Sequence, residues 1–481
     1  MSHIKFARNI GVISFINILV ALKGVILLPI LTKSLSVAQY GVYSQVMISL
    51  GLSTPLLTLG LPYALIRFVA GKTHKRDIQE SIYSTSLVIL AFSIVCSLLL
   101  VLFAPFFSNL LKIPPILLNF LAITITLEAL NSVFLNTLIA FQKIKTYSWI
   151  MLFYIFGEIG FCAFALQVGW GLYGVVLMFM LVRMIAFCIM LTLMITYHGI
   201  SWPRFTEIKE YLKFGLPATS SNISYWVLAS SDRYIIGILL GVLYVGYYSP
   251  AYSIGNLLNF FIFPFSLLLP AVLSQQFDHN NTETVKQYLQ YSLKYFLLIA
   301  IPASFGLSIL SRQILAIFST QDIALHSYFI TPFIVVSILS YGIYTFFSQI
   351  LYLHKKTKLF GFIWLVAAII NMGLNIVFIP MFGLLAAAIT TLIAYTLACV
   401  IAWWYARKYL IFTIDWSAIA KSILASCVMS AGILAINPVG FLPTMLTIGL
   451  GATVYFVGIF LLRTINNFEL NILKSLVSRQ G

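Results

Sequence analysis

Six ionisable residues sit where an apolar sequence should not carry them. Lys23, Arg183 and Arg233 are cations, and Glu128, Glu158 and Asp232 are anions, each deep inside an apolar run of about 20 residues. A charge at the centre of a bilayer costs about 3 kcal/mol or more, so each needs a partner or a wet cavity and is a candidate for function. The cations could hold a phosphate or pyrophosphate, Arg through paired hydrogen bonds and Lys as a point charge. Arg67, near the end of the second run, belongs with them. The carboxylates Glu128, Glu158 and Asp232 are candidates for coupling to a proton or sodium ion, because a low-dielectric site favours reversible protonation. Asn17, Asn222 and Tyr225 offer hydrogen bonds to sugar hydroxyls or between helices.

A structural reading competes. Lys23 or Arg183 can pair with Glu128 or Glu158 inside the membrane, since an unpaired charge there is so costly. Asp232 and Arg233 are adjacent and point about 100° apart on a helix. Their spacing predicts that they do not simply neutralise each other, and that at least one faces another helix or a wet cavity. All six residues fall in the first 233 positions, which puts the chemistry in the first half of the chain.

Other chemistries find no support. Gly71-Lys72-Thr73 ends like a phosphate-binding loop, but Ile66 stands where its first glycine is required and an apolar run precedes it. There is no H-E-x-x-H and no soluble catalytic segment, so an enzyme is not expected. Cys96, Cys162, Cys188, Cys399 and Cys427 lie singly in apolar runs and read as small hydrophobes, not as disulfides or metal ligands. No cofactor or metal is expected, and the histidines lie in loops or near the ends of runs. The net charge of +16 collects in alternate loops, which topology explains better than a nucleic-acid partner.

The elements that must position these groups are membrane helices. The chain of 481 residues is 61% hydrophobic and 8% charged, with a mean hydropathy of +1.02, far from the charge content of soluble domains. Its apolar runs predict an all-α polytopic membrane protein of about 14 spans, beginning with an uncleaved first helix near 10–32. With the N-terminus in the cytoplasm, Lys72, Lys75, Arg76, Lys143, Lys145, Lys355, Lys356, Arg407 and Lys408 fall inside, and only Lys33, Lys112 and Arg312 outside. Both termini are then cytoplasmic, in a multi-pass protein of the cell membrane.

The halves repeat. Gly41-Val42-Tyr43-Ser44 matches Gly246-Tyr247-Tyr248-Ser249, Gln142-Lys143 matches His354-Lys355, and Gly171-Leu172 matches Gly383-Leu384, at offsets of about 205 to 212 residues. Six spans per repeat keep both halves in one orientation, which predicts two pseudo-symmetric six-helix bundles around a central cavity. The expected division is 1–197 and 215–406 for the bundles, 198–214 for an interfacial linker helix, and 407–481 for two last helices and a tail. In the linker, Phe205, Ile208, Tyr211 and Leu212 share one face, the pattern of a helix lying on the membrane surface. The tail after Thr464 reads the same way, and the last two spans read as lipid-facing padding.

The order FGLP at Phe214–Pro217, SDRYIIGILLG ending at Gly241, and VGYYSPAYSI from Val245 resembles the seventh and eighth helices of polysaccharide flippases. Asn371–Thr391 is similar to that family's "LN…IP…G…GA" pattern, with Leu385 where glycine is usual. Together these mark a resemblance to the polysaccharide and O-antigen flippases of the multidrug/oligosaccharidyl-lipid/polysaccharide exporter superfamily, along essentially the whole chain. The resemblance implies a flippase that moves polyprenyl-diphosphate-linked oligosaccharide to the outer leaflet by alternating access. It implies a basic cavity holding the diphosphate, with membrane lipids and polysaccharide polymerase or assembly proteins as partners. By that likeness Lys23, Arg67, Arg183, Arg233, Asn222 and Tyr225 would bind substrate. A cation-coupled multidrug exporter of the same superfamily is the alternative, and a membrane glycan polymerase or ligase is disfavoured by the short outer loops.

Overall fold

In the computed structural model the described residues are 3–69 and 71–464, with side chains described from Gly11 onward except at 218, 221 and 357. The helix expected in the tail after Thr464 lies outside them. The first helices are α1 (His3–Ser34), α2 (Val37–Thr58), α3 (Leu61–Val69), α4 (Lys75–Leu102), α5 (Ala104–Leu111) and α6 (Pro115–Ala140). Then come α7 (Ile144–Gln167), α8 (Gly171–His198), α9 (Ile208–Leu239), α10 (Val242–Gly255), α11 (Asn259–Asp278) and α12 (Thr282–Ile309). The remainder are α13 (Ser311–Phe318), α14 (Gln321–Ser327), α15 (Ile330–Leu353), α16 (Thr357–Ala406), α17 (Trp416–Ile436) and α18 (Phe441–Leu461).

Local sequence sets these boundaries. Ser36 and Gln39 form a reciprocal capping box at the start of α2, satisfying backbone donors that would otherwise be orphaned. Leu59 in a left-handed conformation and Gly60 end it, and α3 continues after a bend of 50°. Pro115 opens α6, where its missing N–H costs nothing.

Among the described residues, eleven helices are long and apolar enough to cross a membrane, or twelve if bent α2–α3 is one span. At 50 residues, α16 would be about 75 Å long, more than twice the hydrocarbon thickness. It breaks at Gly383, whose φ of 62° is left-handed, and so forms two spans. Adding α9, more polar because it carries Asp232 and Arg233, brings the number to about 14. The linker differs from expectation. Residues 199–207 are not helical, and α9 runs unbroken from Ile208 through the membrane segment. Gly199 in a positive-φ conformation stops α8, and the Arg204 and Thr206 backbones that follow donate to Glu80 near the start of α4.

Contacts group the described residues into two compact units, one within Met1–Ser249 and Trp364–Ala387, the other within Pro250–Ile363 and Ala388–Gly481. In the first unit α6 is central, packed against α2, α3, α4 and α8, with Leu61, Leu117, Val133 and Val182 essentially inaccessible. In the second, α12 is central among α11, α15 and α17, around Leu289, Phe296, Ile334 and Val335. The last two helices are more than padding. Ser422 and Tyr455 hydroxyls lie 2.8 Å apart, Tyr455 donates to the Leu298 carbonyl at 2.6 Å, and Asp415 pairs with buried Lys294 at 3.2 Å. These bonds fasten α17 and α18 to α12.

Candidate functional site

Four of the expected residues come together in the first unit. Glu158 of α7 is fully buried and receives Lys23 Nζ of α1 at 2.5 Å on one oxygen and Arg183 Nη1 of α8 on the other. Arg183 Nε lies 2.7 Å from Glu128 Oε2 of α6. The charges therefore alternate as Lys23–Glu158–Arg183–Glu128, across four helices.

Helical spacing builds the surroundings. Tyr154 lies one turn before Glu158 on α7, and Phe179 one turn before Arg183 on α8. The Arg183 guanidinium lies 4.3 Å from the centre of the Tyr154 ring and 4.5 Å from that of Phe179, two cation–π contacts at a desolvated site. Asn131, three residues after Glu128, donates to the Arg183 carbonyl at 3.1 Å. The middle of the row is sealed, and its ends are open. Lys23 keeps 19% and Glu128 26% of side-chain exposure, against 0% for Glu158. An incoming anion would meet Lys23 first and an incoming cation Glu128.

Asp232 and Arg233 form a second group, and here the expectation from spacing needs correction. The two do pair, because the long Arg233 side chain curls back until Nη1 reaches Asp232 Oδ1 at 3.2 Å. The same Nη1 donates to the Ala229 carbonyl at 2.8 Å. A partner helix is nevertheless used, since Tyr248 of α10 donates to Asp232 Oδ2 at 2.7 Å. An angle of about 100° between neighbouring Cβ directions does not stop a side chain as long as arginine from reaching back to its neighbour.

Three expected residues lie apart from both groups. Arg67 is exposed at the end of α3, its guanidinium 4.8 Å from the centre of the Phe214 ring. Asn222 of α9 is exposed and donates to the Tyr63 hydroxyl at 3.3 Å. Tyr225 meets Trp364 edge-on at 5.1 Å. Arg67 and Tyr63 are one turn apart on α3, so Arg67 and Asn222 share the α3–α9 face. Close approach there requires glycine. Gly60 has φ +70°, and a Cβ on it would strike the Gly215 carbonyl.

The repeat has a physical meeting point. Ser44 of α2 and Ser249 of α10, counterparts in the repeat, have hydroxyl oxygens 2.7 Å apart. One turn earlier, a Cβ on Gly41 would lie 2.9 Å from the backbone nitrogen of its counterpart Gly246. Buried Gln45, next along α2, packs against Gly237 of α9, and its amide atoms find no hydrogen-bond partner among the described residues.

The segment 199–207 is latched to the start of α4. Glu80 accepts from the Arg204 backbone at 2.5 Å and the Thr206 backbone at 3.2 Å, and Gln79 donates to the His198 carbonyl. Burial alone would push the Glu207 carboxyl up. Hydrogen bonds from Lys72, Tyr211 and Ser81 outweigh it and hold the group below its ordinary value.

Sequence reasoning missed the Tyr154 and Phe179 cage, Asn131 and the Tyr248 bond. The one-turn spacings Tyr154–Glu158 and Phe179–Arg183 were the available signal.

The comparisons agree in direction. A family of polysaccharide biosynthesis proteins matches residues 30–324. The probable low-salt glycan biosynthesis flippase Agl15 of Haloferax volcanii is 22% identical over 232 residues, 48% of this chain and 49% of that protein. The chain thus matches about half the length of that curated relative. The solved structure of the lipid II flippase MurJ in an inward closed conformation is similar with a TM-score of 0.77 and 17% identity, over 93% of this chain and 96% of that one. An inward-facing multidrug resistance MATE family transporter of the MOP superfamily follows at 0.67 and 15%, over 82% and 94%. At such identities these two structures establish a common fold.

Proposed function

The chain belongs to the family of polysaccharide biosynthesis proteins, and from that premise we propose that it is a flippase for polyprenyl-diphosphate-linked oligosaccharide. The substrate would pass from the cytoplasmic to the outer leaflet of the cell membrane, with both chain termini cytoplasmic. The names of the Haloferax relative and of MurJ support a lipid-linked cargo. The observation that carries the reading is the Lys23–Glu158–Arg183–Glu128 row. Both cations already bind carboxylate oxygens, and the oxygens of a diphosphate have the same charge and hydrogen-bonding capacity.

In this mechanism the diphosphate displaces carboxylates instead of entering an empty basic hole. Lys23, the accessible end of the row, exchanges Glu158 for a phosphate oxygen, and Arg183 turns from Glu128 to a second. A carboxylate released in this way is poised to bind a proton or sodium ion, which would couple export to an ion gradient. Arg233, Arg67, Asn222 and Tyr225 would contribute further along α3 and α9 as the glycan moves. Polysaccharide polymerase or assembly proteins would receive the product.

A multidrug exporter shares the fold and is the second reading, favoured by partly exposed Glu128 as a cation-binding end of the row. Binding separates the two. Purified protein should retain polyprenyl diphosphate in native mass spectra over polyprenyl monophosphate and polyprenol, and Lys23→Met should remove that preference. Equal retention of all three, with tight binding of a lipophilic cation lost in Glu128→Gln, would select the exporter.

A further inference from the structure

We propose that the second unit carries a binding site for the headgroup of an anionic phospholipid, in a pocket between α13 and the α17–α18 turn. The pocket has a volume of about 340 Å³ and is lined by Arg312, Gln313, Gln321 and Asn437 on its polar side, with Ile317 and Val439 among its apolar walls. That size falls within the range of small-ligand sites, about 300–1,000 Å³. It is separate from the charged row and does not rest on the transport reading.

Local backbone makes the pocket. Asn437 adopts a left-handed conformation at the end of α17, and Gly440 with φ +91° starts the chain into α18. Pro438 between them keeps the turn short. Across from it, Gln313 of α13 donates to Asn437 Oδ1 at 3.4 Å, a long bond that leaves the two elements bridged weakly. Gln313 Oε1 is buried and has no hydrogen-bond partner among the described residues. A buried amide oxygen without a donor is destabilising, so the pocket gains from a ligand that brings a hydroxyl.

The lining selects the ligand's charge. Arg312 is the one ionisable group among the lining residues, and no carboxylate faces it there. The nearest acid in sequence, Asp322, pairs with His326 at 3.2 Å. A guanidinium flanked by amides suits a phosphodiester with hydroxyls, where arginine binds two oxygens and the amides take the polyol.

Depth selects a lipid over a soluble anion. Arg312 is the second residue of α13, three residues after the end of α12, whose 28 residues span about 42 Å, enough to carry the chain through the hydrocarbon to the polar region. On α18, Phe441 and Leu442 are 60% and 65% exposed beside the pocket mouth, with Val439 at 82%. Such apolar residues at a helix end face acyl chains while Arg312 and the amides lie at headgroup level. The positive-inside orientation makes this the outer leaflet.

The test uses full-length protein in nanodiscs or detergent, titrated with phosphatidylglycerol and, separately, phosphatidylcholine, with thermal stability and native mass spectra as readouts. Phosphatidylglycerol should bind saturably and raise the melting temperature, and Arg312→Ala should weaken its apparent affinity by about tenfold. Gln313→Ala should weaken it less, and Lys112→Ala, a cation outside the pocket, should leave it unchanged. Arg312 is exposed, so its replacement is not expected to disturb folding. Equal loss in Lys112→Ala would mean diffuse attraction and overturn the site. Saturation by soluble glycerol phosphate at the same concentration would overturn the lipid assignment, and indifference to Arg312→Ala would overturn the proposal altogether.

Discussion

Replacing Glu158 by Gln tests whether the charged row holds the first unit together. The carboxylate is fully buried and is the sole anion given to Lys23 among its described ion pairs, and it shares Arg183 with Glu128. Glutamine keeps the volume and removes the charge, which strands Lys23 and leaves Arg183 with one partner. Breaking a buried pair costs about 3–5 kcal/mol, because the remaining charge keeps its desolvation penalty. Lys23→Met removes the stranded charge and leaves Arg183 to neutralise Glu158. The double variant should therefore be less destabilised than the sum of the singles, by at least about 1 kcal/mol of coupling. The assay is reversible unfolding in mixed micelles for the wild type, both singles and the double. Neutral behaviour of Glu158→Gln, or strict additivity, would refute the row as an energetic unit.

Three further outcomes follow from particular contacts. Cysteines at Ser44 and Ser249, whose oxygens are 2.7 Å apart, should form a disulfide under mild oxidation, as read by gel mobility before and after reduction, and a failure to cross-link would contradict the contact of α2 with α10. Gly246→Ala would drive a Cβ into the Val37 carbonyl, and the overpacking should cost about 1–3 kcal/mol by unfolding midpoint. The Glu207 carboxylate is held below its ordinary value, so its contribution is fully present above the unfolded value of about 4.3 and is lost as pH falls through the lower folded value. Glu207→Gln should flatten the acid limb of the stability profile and leave the neutral region parallel to wild type.

Much of the fold was legible in the sequence because membrane helices announce themselves by length and apolarity. The order of spans and the balance of deep cations against anions could both be read in one dimension. Partner choice could not. Lys23 and Glu158 are 135 residues apart, and whether they meet depends on the rotation of α1 and α7 about their axes. The Asp232–Arg233 contact failed as an expectation for another reason, since Cβ directions constrain a long side chain only weakly. The non-helical path of 199–207 is held by bonds to Glu80 and Gln79 of α4, long-range contacts invisible in local amphipathicity. The anchoring of α17 and α18 includes single hydroxyls, Ser422 and Tyr455, whose sequence context looks merely apolar.

The most direct measurement follows a fluorescent polyprenyl-diphosphate oligosaccharide between leaflets of liposomes containing the purified protein, with and without an imposed pH gradient. Wild type should accelerate transfer, Lys23→Met and Arg233→Ala should slow it about tenfold or more while remaining folded, and loss of gradient dependence in Glu128→Gln would mark the coupling site. Failure of wild type to move any of several polyprenyl-diphosphate glycans, together with export of a lipophilic cation, would contradict the account.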